Sequence, residues 1–346
     1  MKNRLFILVS ISLIFFLKGN SQDIHFSQYL QAPLLINPAT AGMSVGKHRA
    51  NLNYKSQWSA LGSLYKTMAA SYDTRILKAN NSKGGYLGIG LSIFNDKAGD
   101  ANMAHLQGNL ALSAVVKFKE YSTLSIALQG GFCQRKINCD NLKWGAQYDG
   151  SNYNSALSST ENYGNNSYNY FDLSPGVLWQ YRKDKSSFGS GKSIAKVDIG
   201  GAVQHVNKPK LNFLGNNEVL KMKFVFHFNA EVDLPNEKFS IIPSFVYTQQ
   251  GTLNEIIVGS VLKYYLNKKS ARYTGFGKNS NICLGLQYRY KDAFIPMVMY
   301  QMGDYALGFS YDINTSSLNN ASHFRGGAEF SFTYLLGYKS ASLRQF

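Results

Sequence analysis

The chain has 346 residues, a formal net charge of +16 and 14% aromatic residues, among them 23 Tyr and 22 Phe. Only 16% of the residues are charged, against roughly 25% in ordinary globular domains, so much of the surface faces something other than water. The three cysteines, Cys133, Cys139 and Cys283, are an odd number, which excludes a disulfide framework. We expect no bridge between the close pair Cys133 and Cys139.

The amino terminus has the pattern of an export signal. Lys2 and Arg4 precede an apolar run at 5–17, and small residues follow just before Gln22. The run is too short to cross a hydrocarbon core of about 30 Å as a helix. We therefore predict a signal peptide at 1–21, removed to leave a mature chain that starts at Gln22.

Apolar and polar residues alternate along most of the remaining chain. Such runs lie at 49–58, 66–73, 86–95, 105–118, 124–133, 171–181, 197–206, 222–233, 239–249, 255–266, 282–290, 294–302, 305–313 and 327–338. Transmembrane strands show this alternation because their side chains face lipid and lumen in turn. The pattern predicts an all-β fold, a transmembrane antiparallel β-barrel of about 14 strands in the outer membrane. A soluble β-sandwich would use fewer and shorter strands and would not explain the aromatic excess at strand ends.

The predicted barrel gives the chain a direction. An even number of strands brings both termini to the periplasmic side, as in single-chain bacterial barrels. We expect an irregular periplasmic segment at 22–46, followed by the barrel at 47–346. The longest predicted loop, about 134–169, is rich in Asn, Ser, Tyr and Gly, as extracellular loops of barrels tend to be.

Positive charge is concentrated on one side of this predicted topology. Removal of the three basic residues of the signal peptide lowers the formal charge from +16 to +13, and the periplasmic segments hold all of that excess. The predicted basic ring consists of Lys183, Lys185, Lys192, Lys268, Lys269, Arg272 and Lys278. It either neutralises lipid phosphates and solvates the turns, or forms a docking face for an acidic periplasmic partner. Nucleic acid is not accessible in this compartment.

Motifs for catalysis and cofactor binding fail on inspection. The segment 189–193 resembles the end of a phosphate-binding loop, but Ser186 stands where the first Gly is needed and no helix pattern follows. Gly88 and Gly90 lie within strand alternation, where Gly relieves crowding in a curved wall. Six histidines lack metal-ligand spacing and an adjacent Ser nucleophile: His25, His48, His105, His205, His227 and His323. We predict a protein that is not an enzyme, with no cofactor and no metal.

Several stretches recur in an order that is typical of one family. The mature chain begins with Asp-Ile-His-Phe-Ser-Gln-Tyr at 23–29 and continues with Asn-Pro-Ala-Thr-Ala-Gly at 37–42. Gly-Leu-Gln-Tyr-Arg-Tyr at 285–290, Leu-Gly-Phe-Ser-Tyr-Asp-Ile at 307–313 and Gly-Ala-Glu-Phe-Ser at 327–331 follow. In this order they resemble the PorP/SprF family of Bacteroidetes outer-membrane proteins, associated with type IX secretion and gliding motility. The family-motif positions are Asn37, Pro38, Ala39, Gly42, Arg289, Asp292, Ser310, Tyr311, Asp312 and Glu329.

The resemblance implies a role in exporting or anchoring large surface proteins. We expect the barrel to bind the C-terminal domain of a secreted adhesin and to contact outer-membrane lipid and a periplasmic component of the secretion or gliding machinery. Two alternatives stay open: a core component coupled to the periplasmic motor and ring, and a general diffusion porin. A porin with lysines in its lumen would favour anions. The lysines predicted to line the lumen are Lys55, Lys117, Lys223 and Lys263.

Two local expectations accompany the motif positions. Asn37 and Pro38 favour a turn that holds the segment before the first strand outside the lipid. Arg289, Asp312 and Glu329 alternate towards the lumen, where they either pair with each other or contact a partner.

Overall fold

A closed barrel of 14 antiparallel strands forms the whole wall of the protein. The computed structural model describes residues 23–57, 65–78, 85–99, 101, 103–138, 142–160, 167–184, 194–213, 216–234, 238–267, 280–316 and 324–337. The barrel strands are β1 (His48–Gln57), β2 (Tyr65–Lys78), β3 (Gly85–Ala98), β4 (Met103–Lys119), β5 (Ser122–Lys136), β6 (Ser167–Asp184), β7 (Ile194–Gln204), β10 (Lys223–Asp233), β11 (Phe239–Gln250), β12 (Leu253–Asn267), β13 (Ser280–Arg289), β14 (Ala293–Met302), β15 (Tyr305–Asn314) and β16 (Arg325–Leu336). The predicted fold and its strand number are confirmed.

One further hairpin lies outside the barrel wall. Strands β8 (Lys210–Phe213) and β9 (Asn216–Val219) pair only with each other in a two-stranded sheet. Each of these strands has four residues, which are too few for alternation to be visible in the sequence.

The barrel closes where its first strand meets its last. β1 pairs with β16 along its full length, from His48 opposite Leu336 to Gln57 opposite Gly327. Closure leaves no strand edge with unpaired backbone groups, which a hydrocarbon environment would penalise by several kcal/mol for each group. We call the end of the barrel with His48 and Leu336 the near end, and the end with Gln57 and Gly327 the far end.

The two faces of the wall differ in chemistry. In β4, His105, Gln107 and Asn109 face inward and are buried, whereas Leu110 and Leu112 face outward and remain 43% and 52% exposed. A row of exposed leucines is costly in water but favourable in lipid. The outer face is therefore the membrane-facing surface.

Aromatic pairs lie on this outer face towards both ends of the strands. Phe132 contacts Phe171 near the far end, with ring centroids 5.4 Å apart. Tyr305 stacks on Tyr334 at the near end, with ring centroids 4.9 Å apart. Such girdles lie where membrane barrels meet the lipid headgroups. None of the helices in the described residues is long and apolar enough to span a membrane.

Residues 23–46, which we call the plug, lie inside the barrel. They form a 3-10 turn at Tyr29–Gln31, a one-turn helix α1 (Pro33–Ile36) and a second 3-10 turn at Pro38–Thr40. The plug begins at the far end, where Asp23 lies 3.5 Å from Arg135, and ends against Leu336 at the near end.

This location differs from the periplasmic segment predicted for 22–46. The segment is irregular, as expected, but an irregular backbone needs hydrogen-bond partners, and the polar lumen provides them. Periodicity alone does not show whether such a segment stays outside a barrel or fills it.

A charge on the outer face tests the membrane assignment. Leu128 lies at the middle of β5 and is 56% exposed, so Leu128→Arg should lower the free energy of unfolding in lipid vesicles by about 2–4 kcal/mol. Leu266→Arg, beside the near end of β12, is the matched control and should cost about 0–1 kcal/mol. Reversible denaturant unfolding measures both values. Equal costs at the two positions would contradict a lipid-facing wall.

Candidate functional site

The lumen and the plug together form the most densely bonded polar region of the described structure. Glu329, on β16, accepts hydrogen bonds from two consecutive plug backbone N–H groups, those of Ser27 and Gln28, both at 2.8 Å. The Gln28 amide donates to the Glu329 carbonyl oxygen at 2.9 Å and to Ser310 Oγ at 3.1 Å. Ser331 Oγ in turn donates to Gln28 Oε1 at 2.6 Å. One carboxylate therefore accepts from two consecutive N–H groups and fixes the plug backbone at Ser27 and Gln28.

Two cations balance the acids of this region. Arg289 pairs with Asp312, and its Nη2 also donates to Ser27 Oγ at 2.9 Å. Lys55 Nζ lies 3.6 Å from Asp312 and 3.9 Å from Glu329. Lys55 is 1% exposed, so leaving either sign alone here would bury an uncompensated charge. Arg289, Asp312 and Glu329 face inward as expected, and their charges are used within the barrel.

The Asn37-Pro38 turn forms inside the lumen, against the wall. Asn37 accepts from the Ala39 N–H at 2.9 Å, which caps the second 3-10 turn, with Pro38 at its first position. The Asn37 amide also reaches the wall and donates to the Val177 carbonyl at 2.9 Å. Its amide nitrogen lies 3.0 Å from His227 Nε2. One side chain therefore shapes the plug and attaches it to β6 and β10.

Wall side chains donate to the plug's backbone carbonyls towards the near end. Ser125 Oγ donates to Ala39 O at 2.7 Å, and Ser113 Oγ donates to Ala41 O at 2.8 Å. Arginines of β1 and β2 reach three more carbonyl oxygens, those of Thr40, Gly42 and Ser44. These bonds go to backbone atoms and not to side chains, so they give wall partners to a segment whose own secondary structure is limited to short turns.

Gly42 closes this end of the plug. Its φ is +71°, a conformation that side chains with a Cβ rarely adopt, and its N–H donates to Asp73 Oδ2 at 2.8 Å. A Cβ at Gly42 would lie 3.0 Å from the Gly88 Cα, and one at Gly88 would lie 2.5 Å from the Ala41 carbonyl oxygen. Gly88, which the sequence analysis assigned to curvature of the wall, therefore also makes room for the plug.

A second charged cluster holds the first plug residue at the far end. His205, just after β7, lies 2.6 Å from Asp23 through Nε2 and 2.8 Å from Asp172 through Nδ1. Burial lowers the pKa of His205, but hydrogen bonds to Asp172 and Asp23 and their negative charges outweigh burial and raise the pKa to about 9. Burial would raise the pKa of Asp23, whereas His205, Lys223 and Arg135 together hold it well below its ordinary value. The imidazolium is thus stabilised between two carboxylates.

Little space remains between the plug and the wall. A cavity of about 60 Å³ lies beside His25 and Tyr29 of the plug and Gln129, Lys223 and Glu255 of the wall. This volume has room for a few water molecules but for no larger solute. The inward-facing side chains around the plug are largely buried, so the plug fills this part of the lumen.

The remaining predicted site residues lie apart from the plug. Asp292 forms the tight turn after β13, where its carboxylate lies 3.3 Å from Arg289, and Tyr311 faces the outer side of β15. Of the predicted basic ring, Lys183 lies at the near end, with Nζ 5.7 Å from the centre of the Tyr121 ring. Its other members lie outside the described residues: Lys185, Lys192, Lys268, Lys269, Arg272 and Lys278.

Several residues that hold the plug are not recognisable as such from the sequence. Ser27 and Gln28 stand within a quoted stretch, but their role depends on Glu329, some 300 positions away. The alternation predicts that Lys55 lines the lumen, but it does not predict that two carboxylates surround the lysine there. Alternation indicates that a residue faces inward, but it carries no signal for which plug atom that residue meets.

Metal-binding groups and cysteines are the remaining points of comparison with the sequence. They contain no group of three or more His, Cys, Asp or Glu side chains placed to hold a metal ion. Cys133 and Cys283 are buried free thiols, and Cys139 lies outside the described residues.

Displacing the plug should open the barrel. A Cβ at Gly176 would collide with the Asn37 side chain and lie 2.9 Å from Pro38 Cγ, so Gly176→Val should push the Asn37-Pro38 turn off the wall. Planar-bilayer recordings should then show channel openings that are absent from the wild type. Gly130→Val is the matched control, because nothing lies within 4 Å of a Cβ there. Wild-type conductance equal to that of Gly176→Val would show that the plug does not close the lumen.

The far-end cluster should make stability depend on pH. Because the folded protein holds the pKa of His205 above its ordinary 6.5, at about 9, this stabilisation is present below pH 6.5 and is lost as the pH rises through 9. The Tm of the wild type should therefore fall between pH 7 and pH 10, and His205→Gln should show a smaller fall. His48→Gln, which removes an exposed near-end histidine bonded to Tyr72, should keep the wild-type dependence. An equal fall in all three proteins would contradict the role of His205.

Comparison with known proteins gives the family. The sequence matches the family described as "Type IX secretion system membrane protein PorP/SprF" over residues 18–334. No curated relative matches the chain.

Three similar solved structures are outer-membrane proteins of low sequence identity to this chain. The Ralstonia pickettii toluene transporter TbuX is 10% identical, with a TM-score of 0.47 over 88% of this chain and 94% of that one. BamA from Haemophilus ducreyi lacking POTRA domains 1–3 is 12% identical, with a TM-score of 0.38 over 83% and 70%. The translocator domain of the autotransporter NalP from Neisseria meningitidis is 9% identical, with a TM-score of 0.39 over 89% and 95%.

The family match spans nearly all of the barrel and the whole plug, including every family-motif position from Asn37 to Glu329. The chain belongs to the PorP/SprF family of type IX secretion system membrane proteins.

Proposed function

We propose that this chain is a non-enzymatic outer-membrane barrel that binds the C-terminal domain of a large surface adhesin and helps to export or anchor it. The observation that carries the proposal is the filled lumen. A barrel whose interior is bonded to its own amino-terminal segment is poorly suited to solute passage, so the surfaces that it offers to a partner are the two ends and the lipid face. The proposal assigns the far end to the extracellular side and the near end to the periplasm.

The far end offers an ordered surface for a protein partner. In the loop at 142–160, Tyr148, Tyr153 and Leu157 are 56%, 40% and 38% exposed. Tyr148 and Tyr153 form an isolated β-bridge, and Asp149 accepts backbone hydrogen bonds from Ser151 and Asn152 at 2.9 and 2.8 Å. Exposed tyrosines on a preformed loop bind a protein at a low entropic cost. We propose this loop as part of the cargo-binding surface.

The near end is proposed to face the secretion or gliding machinery. Lys183 carries its charge beside Tyr121, which is 37% exposed, as expected of a basic rim. A patch of one sign would attract an acidic periplasmic partner and speed its association. The proposal keeps the basic ring predicted from the sequence as this docking face.

A general diffusion porin fits the geometry less well. Two of the lysines that would line its lumen are paired inside it: Lys55 with Asp312 and Glu329, and Lys263 with Glu231 at 2.8 Å. Paired cations attract few anions, and the plug occupies the path.

The test is affinity purification of the full-length protein together with the cell-surface proteome. A large secreted protein should copurify with the wild type, and its recovery should fall about tenfold with the variant Tyr148→Ser/Tyr153→Ser/Leu157→Ser, in line with the loss of buried interface aromatics. The near-end variant Tyr121→Ser is the control and should retain the cargo.

Two outcomes would overturn the proposal. One is the absence of any large secreted protein from the purification, together with normal surface presentation in a deletion strain. The other is recovery of periplasmic motor or ring proteins alone, which would instead support a core component of the machinery.

A further inference from the structure

The outer wall of the barrel is recessed on one side. A concave apolar groove of about 760 Å³ crosses seven neighbouring strands, from β14 through β16 and β1 to β4. Its outward-facing lining includes Leu52, Met68, Ile93, Leu307 and Phe330, each at least half exposed. A recess of this size accommodates acyl chains along the wall.

Two lysines lie directly above this groove at the far end. Lys66 on β2 and Lys97 on β3 are register partners, so their side chains lie on the same face. Met68 and Asn95 are the next outward pair on the same strands, and both line the groove. One outward step along a strand is about 7 Å. The two ammonium groups therefore sit at the far border of the groove.

A third cation extends this basic border. Arg325, at the far-end start of β16, pairs in register with Ile313, whose side chain is 37% exposed on the outer face. The register shifts between Asp312 and Ile313 and skips Gly326, so Arg325 departs from the alternation of β16 and shares the outer face with Ile313. Strand β1 alone separates β16 from β2, and Lys66 is level with Ala328 through Ser56, so the Cα atoms of Arg325 and Lys66 lie on the order of 13 Å apart.

No protein carboxylate within the described residues neutralises these three cations. None of Lys66, Lys97 and Arg325 is in an ion pair there. Asp96, the acidic neighbour of Lys97, faces the other side of the strand and accepts a hydrogen bond from Thr67 at 2.6 Å. The opposite border of the groove carries Tyr300 and Phe332, which are uncharged. The pattern is an apolar groove with positive charge at one border.

We propose that this groove and its basic border bind one phosphorylated, multiply acylated lipid, a lipopolysaccharide of the outer leaflet. Lys66, Lys97 and Arg325 contact the phosphates, and the acyl chains lie in the groove. The choice of this lipid rests on the far end facing the cell exterior, as in the proposed function. A phospholipid of the inner leaflet would place its phosphate at the uncharged border.

The experiment is native mass spectrometry of the full-length protein in detergent, titrated with bisphosphorylated lipid A. Parallel titrations use the same lipid A without its phosphates and phosphatidylethanolamine. The expected order is tight binding of bisphosphorylated lipid A and at least tenfold weaker binding of the other two. Equal binding of all three lipids would overturn the proposal.

The basic border is tested by Lys66→Gln/Lys97→Gln/Arg325→Gln. A basic residue near a membrane surface changes lipid affinity on the order of fivefold, so the triple variant should bind lipid A at least tenfold more weakly. The control, Lys143→Gln/Lys208→Gln/Lys210→Gln, removes the same charge from far-end positions away from the groove and should bind as the wild type does. Unchanged binding by the first variant would overturn the proposal.

The groove is tested by filling it. Ala70 lies in its lining between Leu52 and Ile93, so Ala70→Trp should weaken lipid A binding severalfold, whereas Ala114→Trp, on the outer face of β4 beyond the lining, should not. Equal affinities in these two variants would overturn the acyl-chain placement. No cargo protein takes part in these titrations, so the lipid site and the cargo proposal can fail independently.

Discussion

Backbone hydrogen bonding inside a membrane is the constraint on which the rest of this structure depends. The wall satisfies its backbone groups because β1 pairs with β16, which leaves no open strand edge in lipid. The plug is irregular and cannot pair all of its own backbone N–H and C=O groups. Ser113, Ser125 and Asn37 supply some of the missing bonds between plug and wall. A polar lumen that a water-filled channel would use for solutes serves here as a set of partners for the chain's own backbone.

Charge in the lumen follows from the same constraint. Glu329 accepts hydrogen bonds from two plug N–H groups, and a buried carboxylate needs nearby cations. Lys55 and Arg289 provide them and also bond to plug atoms. Breaking any one of these contacts therefore affects the plug and the wall together. Four of the family-motif positions belong to this shared network, Arg289, Ser310, Asp312 and Glu329, whereas Tyr311 lies outside it on the outer face of β15.

A filled lumen moves recognition to the surfaces that remain. The far end presents an ordered loop with exposed tyrosines, and the outer wall presents an apolar groove beneath outward-facing cations. The exposed side chains of the groove, such as Leu52 and Met68, lie on the opposite face of the wall from the plug. The proposed binding of a protein at the far end and of a lipid on the wall would therefore leave the plug in place.

The sequence by itself determined the barrel, its strand number and which residues face lipid or lumen, because alternation with a period of two is a local property of each strand. It also carried the family resemblance, through short stretches such as Asn37 to Gly42. Only the tertiary structure decided that residues 23–46 fill the lumen and that Ser27 meets Glu329. The groove under Lys66 and Lys97 likewise depends on the shape of the closed wall. Closure brings together residues far apart in the chain, and no periodicity in the sequence encodes the path of an irregular segment or the curvature of the sheet around it.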